Sequence, residues 1–355
     1  MKTTNGWMRW ISDNLAGDIP EEGRERTVAL LAGMSSAYAD YWGSKVSKCQ
    51  LHFTEHELGS YLMNPATLRS SRKYSLAGKV DKVATIDGRM CVVDHKTTSV
   101  ADIEDPASVF WRRTAVDTQA GFYNILLLSN DVPVERVVWD VVVKPRFRPK
   151  KLTKKELEGM DDPPEDGMES YENFAKRIDD AMTSDPHRYF QQRTMSFSRG
   201  QVMDVMADIW DVGQDMAAAT RTDRHPKNPA ACITYNSPCS YLGVCSGQDD
   251  FSSGKWCRSD STHTELEDFD EEDVITNSRL KTFLLCRRKH KHRYMDKWRR
   301  VEEPQREALI FGTLWHKVMD FVWNELTEVN TDVNSKESCP AIGVGQPAEA
   351  DCDGD

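Results

Sequence analysis

The chain has 355 residues, 39% hydrophobic and 29% charged, enough to bury the core of one large domain or two modest ones. No apolar run approaches the roughly 20 residues of a membrane span, and the first residues lack a signal-like hydrophobic stretch, so a membrane anchor is not expected and a cytoplasmic setting is. The net charge of −11 is uneven: residues 265–273 hold seven acids in nine positions and residues 328–355 hold seven acids against one lysine, and removing these from the totals of 57 and 46 leaves 43 acidic against 45 basic residues.

In chain order, residues 21–47 have the apolar spacing of a helix (Val28, Leu30, Leu31, Met34). A strand over 50–63 leads into a turn at Asn64-Pro65. Residues 75–97 are apolar and β-branched, broken once at Asp87-Gly88, the strongest short hairpin signal. A long helix is expected over 107–128 and a buried strand over 134–143, stopped by Pro145. A loop rich in Asp, Pro and Glu covers 159–170, with helices at 170–183 and 197–220. The stretch 232–257 is irregular and holds four of the nine cysteines. Beyond the acidic segment, Thr276 or Asn277 can cap a helix over 278–297, and another follows at about 305–327. From 329 onward the composition is that of a disordered tail.

The hairpin carries the first chemical signal. A two-residue turn at Asp87-Gly88 pairs Ile86 with Arg89 and places Asp81 opposite Asp94, with Lys96 on the same face. Carboxylates about 5 Å apart on neighbouring strands repel, and a hard divalent cation between them removes the repulsion. Such an ion polarises a phosphoryl oxygen and activates water, and Lys96 can orient that water or stabilise charge on phosphate. A solvent-exposed hairpin with alternating charges is the plain alternative.

The string Gly78-Lys79-Val80-Asp81, then Val93-Asp94-His95-Lys96-Thr97, then Gln119 and Tyr123 resembles the RecB-like branch of the PD-(D/E)XK nuclease superfamily, whose motifs run G-x-x-D, D-x-K-T and Q-x-x-x-Y. The late segments 275–286 (ITNSRLKTFLLC) and 311–316 (FGTLWH) resemble the opening motif of that family, a serine-initiated helix with a cysteine followed by G-x-x-x-H. The resemblance implies a restriction-endonuclease-like α/β fold, with a central mixed β-sheet flanked by helices and a Cys-rich metal-cluster region. It implies Mg²⁺ or Mn²⁺ held by Asp81, Asp94, His316 and the main-chain carbonyl of His95, with Lys96, Gln119 and Tyr123 in the catalytic site. The opening motif normally precedes the hairpin. Here it follows, which fits a circular permutation or a truncated second copy, the former favoured because residues 1–97 contain no equivalent of that motif.

Without an expected export route, clustered cysteines point to metal rather than disulfides. Several RecB-like nucleases, the CRISPR-associated exonucleases among them, hold a 4Fe–4S cluster with three cysteines after the core and one in the opening helix. The matching set is Cys232, Cys239, Cys245 and Cys286, with Cys257 as a competing ligand for a local zinc site.

Residues 279–300 hold ten Lys or Arg, and residues 144–155 hold seven. Arg287, Arg288, Lys289, Lys291, Arg293, Lys144, Arg146 and Arg148 are the candidates for phosphate contacts, with nearby aromatics available for base stacking. The sequence thus leads to a nuclease core over 1–260, an acidic linker over 261–274, a helical segment over 275–327 that completes the core, and an acidic tail over 328–355. The expected activity is hydrolysis of DNA, single-stranded or at duplex ends, by an exonuclease serving recombination, repair or phage DNA processing. A recombination or helicase partner is left unspecified. The alternative is a catalytically inert DNA-binding scaffold stabilised by a metal cluster.

Overall fold

The computed structural model describes residues 2–99, 103–160, 163–234, 237–302 and 307–328. The tail from 329 onward, with Cys339 and Cys352, lies outside the described residues. In chain order the principal elements are α1 (Thr4–Leu15), α2 (Arg24–Val46), β1 (Gln50–Met63), β2 (Ser70–Ile86), β3 (Arg89–Thr98), α3 (Val109–Ala115), α4 (Thr118–Ser129), β4 (Arg136–Val143), α5 (Tyr171–Ser184), β5 (Phe190–Ser196), α6 (Arg199–Thr222), β6 (Val274–Ile275), α7 (Asn277–Leu285) and α8 (Glu307–Glu328).

The sheet is mixed. Its order is β1-β2-β3-β4-β5, with β6 added in parallel to the early part of β2. The pairs β1–β2, β2–β3 and β4–β5 are antiparallel, whereas β3–β4 is parallel. That parallel pair needs a crossover, which α3 and α4 supply. Strand β4, RVVWDVVV, is buried from Val137 to Val143, as a central strand covered on both faces requires. Asp87 and Gly88 both have positive φ (49° and 73°), the mirror-image turn geometry that matches strand twist. The resulting register pairs Ile86 with Arg89 and continues to Lys82 with Val93.

Helix α2 is buried from Val28 to Ala39 and packs with α1, α5 and α8. Helix α4 lies against β1 and β2 with α6 outside it. At Gly78 an added Cβ would stand 3.0 Å from Leu126 Cδ1 on α4, so the bare backbone is what lets this helix approach the sheet.

Three local expectations change. The helix expected over 107–128 is two helices, because the Asp117 side chain accepts from the Gln119 amide (2.8 Å) and starts α4 afresh. The helix expected over 278–297, capped by Thr276, ends at Leu285; Cys286 is extended (φ −163°, ψ 112°), and short turns over Arg287–His290 and Lys291–Met295 follow. Helix α1 and strands β5 and β6 were not foreseen, although Trp7, Ile11 and Leu15 of α1 carry a legible i, i+4 stripe. In the acidic stretch, Leu266 and Val274 are buried beside Ala77, and the Glu57 carboxylate accepts from the amides of Glu267 and Asp268.

Candidate metal and active site

The site forms where β2 and β3 part. Past the Lys82–Val93 pair, Asp81 Oδ2 accepts from the His95 amide (3.1 Å), a side chain standing in for the ladder bond. Asp94 points to the same face and is fully buried. Lys96 Nζ lies 2.7 Å from Asp94 Oδ2 and donates to Gln119 Oε1 (3.0 Å). Gln119 Nε2 donates to Asp94 Oδ1 (3.0 Å) and to the Tyr123 hydroxyl (2.7 Å). Gln119 and Tyr123 face the strands together because they sit one turn apart on α4.

The fourth side comes from the late segment. Helix α8 carries His316 to Asp81, with Nδ1 3.2 Å from Oδ2. The Asp81 carboxyl is pushed up by burial, but the His316 hydrogen bond and the His316, His95 and Lys96 charges bring it below the ordinary carboxylate range. Asp94 moves the other way: burial raises it, and the Asp81 charge adds to that against the pull of Lys96. Burial would lower His316, yet its hydrogen bond to Asp81 and the Asp81 and Asp94 charges raise it. The two carboxylates are thus driven apart in their affinity for protons, a pattern common at active sites and also found in structural ion-pair networks.

Sequence reasoning missed what holds this constellation from behind. The His95 ring turns to the opposite face, where Nδ1 lies 3.0 Å from Asp140 Oδ2. The Tyr38 hydroxyl donates to Asp140, and Trp323 Nε1 donates to Tyr38 (3.1 Å). Thus α2, β3, β4 and α8 clamp the residue between Asp94 and Lys96. Lys82 is fully buried with no hydrogen-bond partner on Nζ, and burial lowers its pKa against the charges of Asp81, Asp320, Glu55 and Asp140. Glu55 of β1 also reaches the site: one of its carboxylate oxygens lies within 4.8 Å of candidate ligand atoms on Asp81 and His316. No short motif announces Glu55; the only signal is its register opposite Asp81, which requires the β1–β2 pairing.

The four cysteines Cys232, Cys239, Cys245 and Cys286 line one small cavity with Asn228, Tyr241, Leu242 and Lys289. Burial raises the Cys245 thiol, and the charges of Cys239, Cys286 and Cys232 raise it further. The break at Cys286 is held from outside: Asn228 Nδ2 donates to the Leu285 carbonyl (2.8 Å) and Arg288 Nε to the His225 carbonyl (2.8 Å). Cys257 does not line this cavity; it is exposed on a two-stranded ribbon, Trp256–Arg258 with Trp298–Arg300.

The eight basic candidates divide. Arg287 pairs with Asp215, and Lys291 pairs with Asp296 (3.1 Å) and Asp223 (3.7 Å). Lys144 pairs with Glu307 (3.0 Å), Arg146 donates to the Ser99 carbonyl (3.1 Å), and Arg148 lines a separate cavity with Arg26 and Glu169. Lys289 and Arg293 instead line an open groove of about 1420 Å³, together with Arg299, Arg300, Tyr241 and Trp256. Its far wall is the first two turns of α8, through Ile310 and Thr313.

A family model described as the PD-(D/E)XK nuclease superfamily matches residues 9–246 and 274–342. No curated protein and no solved structure matches the sequence. Among the described residues, no helix is long and apolar enough to cross a membrane.

Proposed function

The chain belongs to the PD-(D/E)XK nuclease superfamily, and on that premise we propose that it is a RecB-like deoxyribonuclease that hydrolyses phosphodiester bonds from strand ends with a divalent metal. The observation that carries the reading is the ion pair between His316 and Asp81, residues far apart in the chain that meet beside Asp94 and Lys96. The donor set fits Mg²⁺ or Mn²⁺: buried carboxylates and one imidazole, with Glu55 Oε1 buried and lacking a hydrogen-bond partner. Asp81, Asp94, His316 and the His95 carbonyl would hold the ion, which supplies Lewis-acid stabilisation of the phosphoryl oxygens and a more acidic water. Asp94 and Gln119 fix the Lys96 ammonium, which donates to the attacking water or to the phosphate as charge develops. The Tyr123 hydroxyl holds the Gln119 amide in the orientation that serves both Asp94 and Lys96.

The groove supports a nucleic-acid backbone as what it holds. Lys289, Arg293, Arg299 and Arg300 can follow its phosphates, and the wall opposite is the helix that carries His316; Tyr241 and Trp256 are buried and stacked on each other, so they shape the groove floor rather than meet bases. A circular permutation is supported by where the start of α1 meets the end of α8. Helix α1 runs along α8, with Lys2 3.0 Å from Glu325, Trp10 stacked on Phe321 (4.0 Å) and Lys317 2.7 Å from Asp18. For the cysteines we favour a 4Fe–4S cluster over zinc. That preference rests on the resemblance, and on Cys257, the competing zinc ligand, standing outside the cavity the four sulfurs line. End processing in recombination, repair or phage DNA metabolism is the setting the resemblance implies.

The test is cleavage of labelled linear and circular DNA, single- and double-stranded, with Mn²⁺. Cleavage of linear but not circular single strands, abolished by Asp94→Asn, is expected. Binding without cleavage, unchanged by Lys96→Ala, returns the protein to an inert scaffold. A chain reordered so that residues 274–328 precede residues 2–260 should fold and cleave if the order is permuted.

A further inference from the structure

Glu55 is not among the four ligands assigned above, yet its placement is costly. Its φ is +46°, in the left-handed region that a side chain with a Cβ enters only against steric resistance. It stands between the pairs Thr54–Lys82 and His56–Val80, and therefore directly across the ladder from Asp81. Like charges in that relation repel. The structure offers one partner, Lys79, 3.2 Å from Oε2 and half exposed, a kind of pair that contributes little. Oε1 is buried and makes no hydrogen bond. The backbone excursion thus brings a second carboxylate beside Asp81 and leaves Oε1 without a proton donor although Lys82 and His316 stand nearby, an arrangement a bound cation would stabilise.

Resting on the nuclease reading of the same site, we propose that Glu55 is a protein ligand of the divalent ion, supplied by β1 and completing a set with Asp81 and His316. The three ligand atoms lie within 4.8 Å of one another, the one such set among the described residues. Asp94, tied to Lys96 and Gln119, faces the ion from the other side. An ion so held neutralises two carboxylates that oppose each other across a ladder, and it explains why the left-handed kink falls at this position. Its preference is for a hard cation, because oxygen donors outnumber nitrogen.

The experiment uses the full chain and Mn²⁺ alone, with free ion followed by electron paramagnetic resonance and unfolding followed with and without the ion. The variants are Glu55→Gln, Glu55→Gly, which suits the positive φ, and Glu135→Gln, an exposed acid paired with Arg89. Both Glu55 variants should bind Mn²⁺ at least about tenfold more weakly, with a smaller Mn²⁺-induced rise in Tm. Their metal-free Tm should not fall below the parent, since a repulsion has been removed. Glu135→Gln should match the parent in every respect. Affinity within about twofold of the parent for both Glu55 variants overturns the proposal, as does a lower metal-free Tm with an unchanged Mn²⁺ shift. A parent chain that binds no Mn²⁺ overturns the metal reading of the site itself, a different result from loss at Glu55 alone.

Discussion

The carboxylate site and the cysteine site are both assembled from distant stretches of chain, but by different means. Around the carboxylates the protein supplies its own counter-charges: both Asp94 oxygens are occupied by Lys96 and Gln119, and Asp81 Oδ2 by the His95 amide and His316. Around the thiols, two distant stretches of chain, 227–245 and 286–289, converge on a cavity in which burial and the neighbouring sulfurs raise the Cys245 thiol. The first site is organised before a ligand arrives. On the proposed cluster assignment the second would gain its organisation from the ligand, because metal-binding free energy there would become folding free energy.

That contrast gives its largest expected effect at Lys96. Lys96→Ala should reduce cleavage by roughly 10²–10³, as for loss of one preorganised donor, and should lower the metal-free Tm because Asp94 loses its counter-charge. A Tm unchanged by the substitution would show that the ion pair does not order the site. Cys286→Ser should abolish the visible absorption expected of an iron–sulfur protein and expose residues 277–300 to limited proteolysis, while parent protein purified without oxygen stays resistant. Stoichiometric zinc without iron in the parent would replace the cluster assignment.

The two sites were also unequally legible. The hairpin register follows from Asp87-Gly88 and holds as far as Lys82–Val93; the strands part before the expected Asp81–Asp94 pair, where Asp81 accepts from the His95 amide instead, while alternation along β3 puts Asp94 and Lys96 on one face. Gln119 and Tyr123 were reached through resemblance, with helical spacing placing them on one face. His316 was reached through resemblance, because its contact with Asp81 depends on how α8 crosses the sheet. Glu55 was missed for the same reason, its position being set by cross-strand pairing and one left-handed residue. The basic run 279–300 misled in part: read as one helix it is a cationic face, but the break at Cys286 spends Arg287, Arg288 and Lys291 on internal contacts and leaves Arg293 and Arg300 to the groove, with Arg299 lining it while also donating to the Arg293 and Trp298 carbonyls.

Smaller effects sharpen the comparison further. Replacing Arg293 and Arg299 together by Ala should flatten the salt dependence of single-strand binding by about 1.4 in log–log slope, two phosphates at roughly 0.7 each. An unchanged slope places the strand elsewhere. The smallest effect is a pH dependence. His316 is raised above its unfolded value, so its pairing with Asp81 stabilises the metal-free protein below about pH 6.5 and that contribution is lost as pH rises through the raised pKa. Against His316→Gln, the parent should therefore show an advantage below about 1 kcal/mol that shrinks between neutral and alkaline pH. Mn²⁺ affinity should rise over the same interval, because the imidazole must lose its proton to bind metal.

The central claim, that an imidazole from the late segment and carboxylates from the hairpin share one ion, is tested most directly by pulsed electron paramagnetic resonance of bound Mn²⁺ in protein with isotopically labelled histidine. A single directly coordinated imidazole nitrogen, absent in His316→Gln and retained in Lys96→Ala, is the predicted result. Mn²⁺ bound with no histidine coupling, or with a coupling that survives His316→Gln, contradicts it.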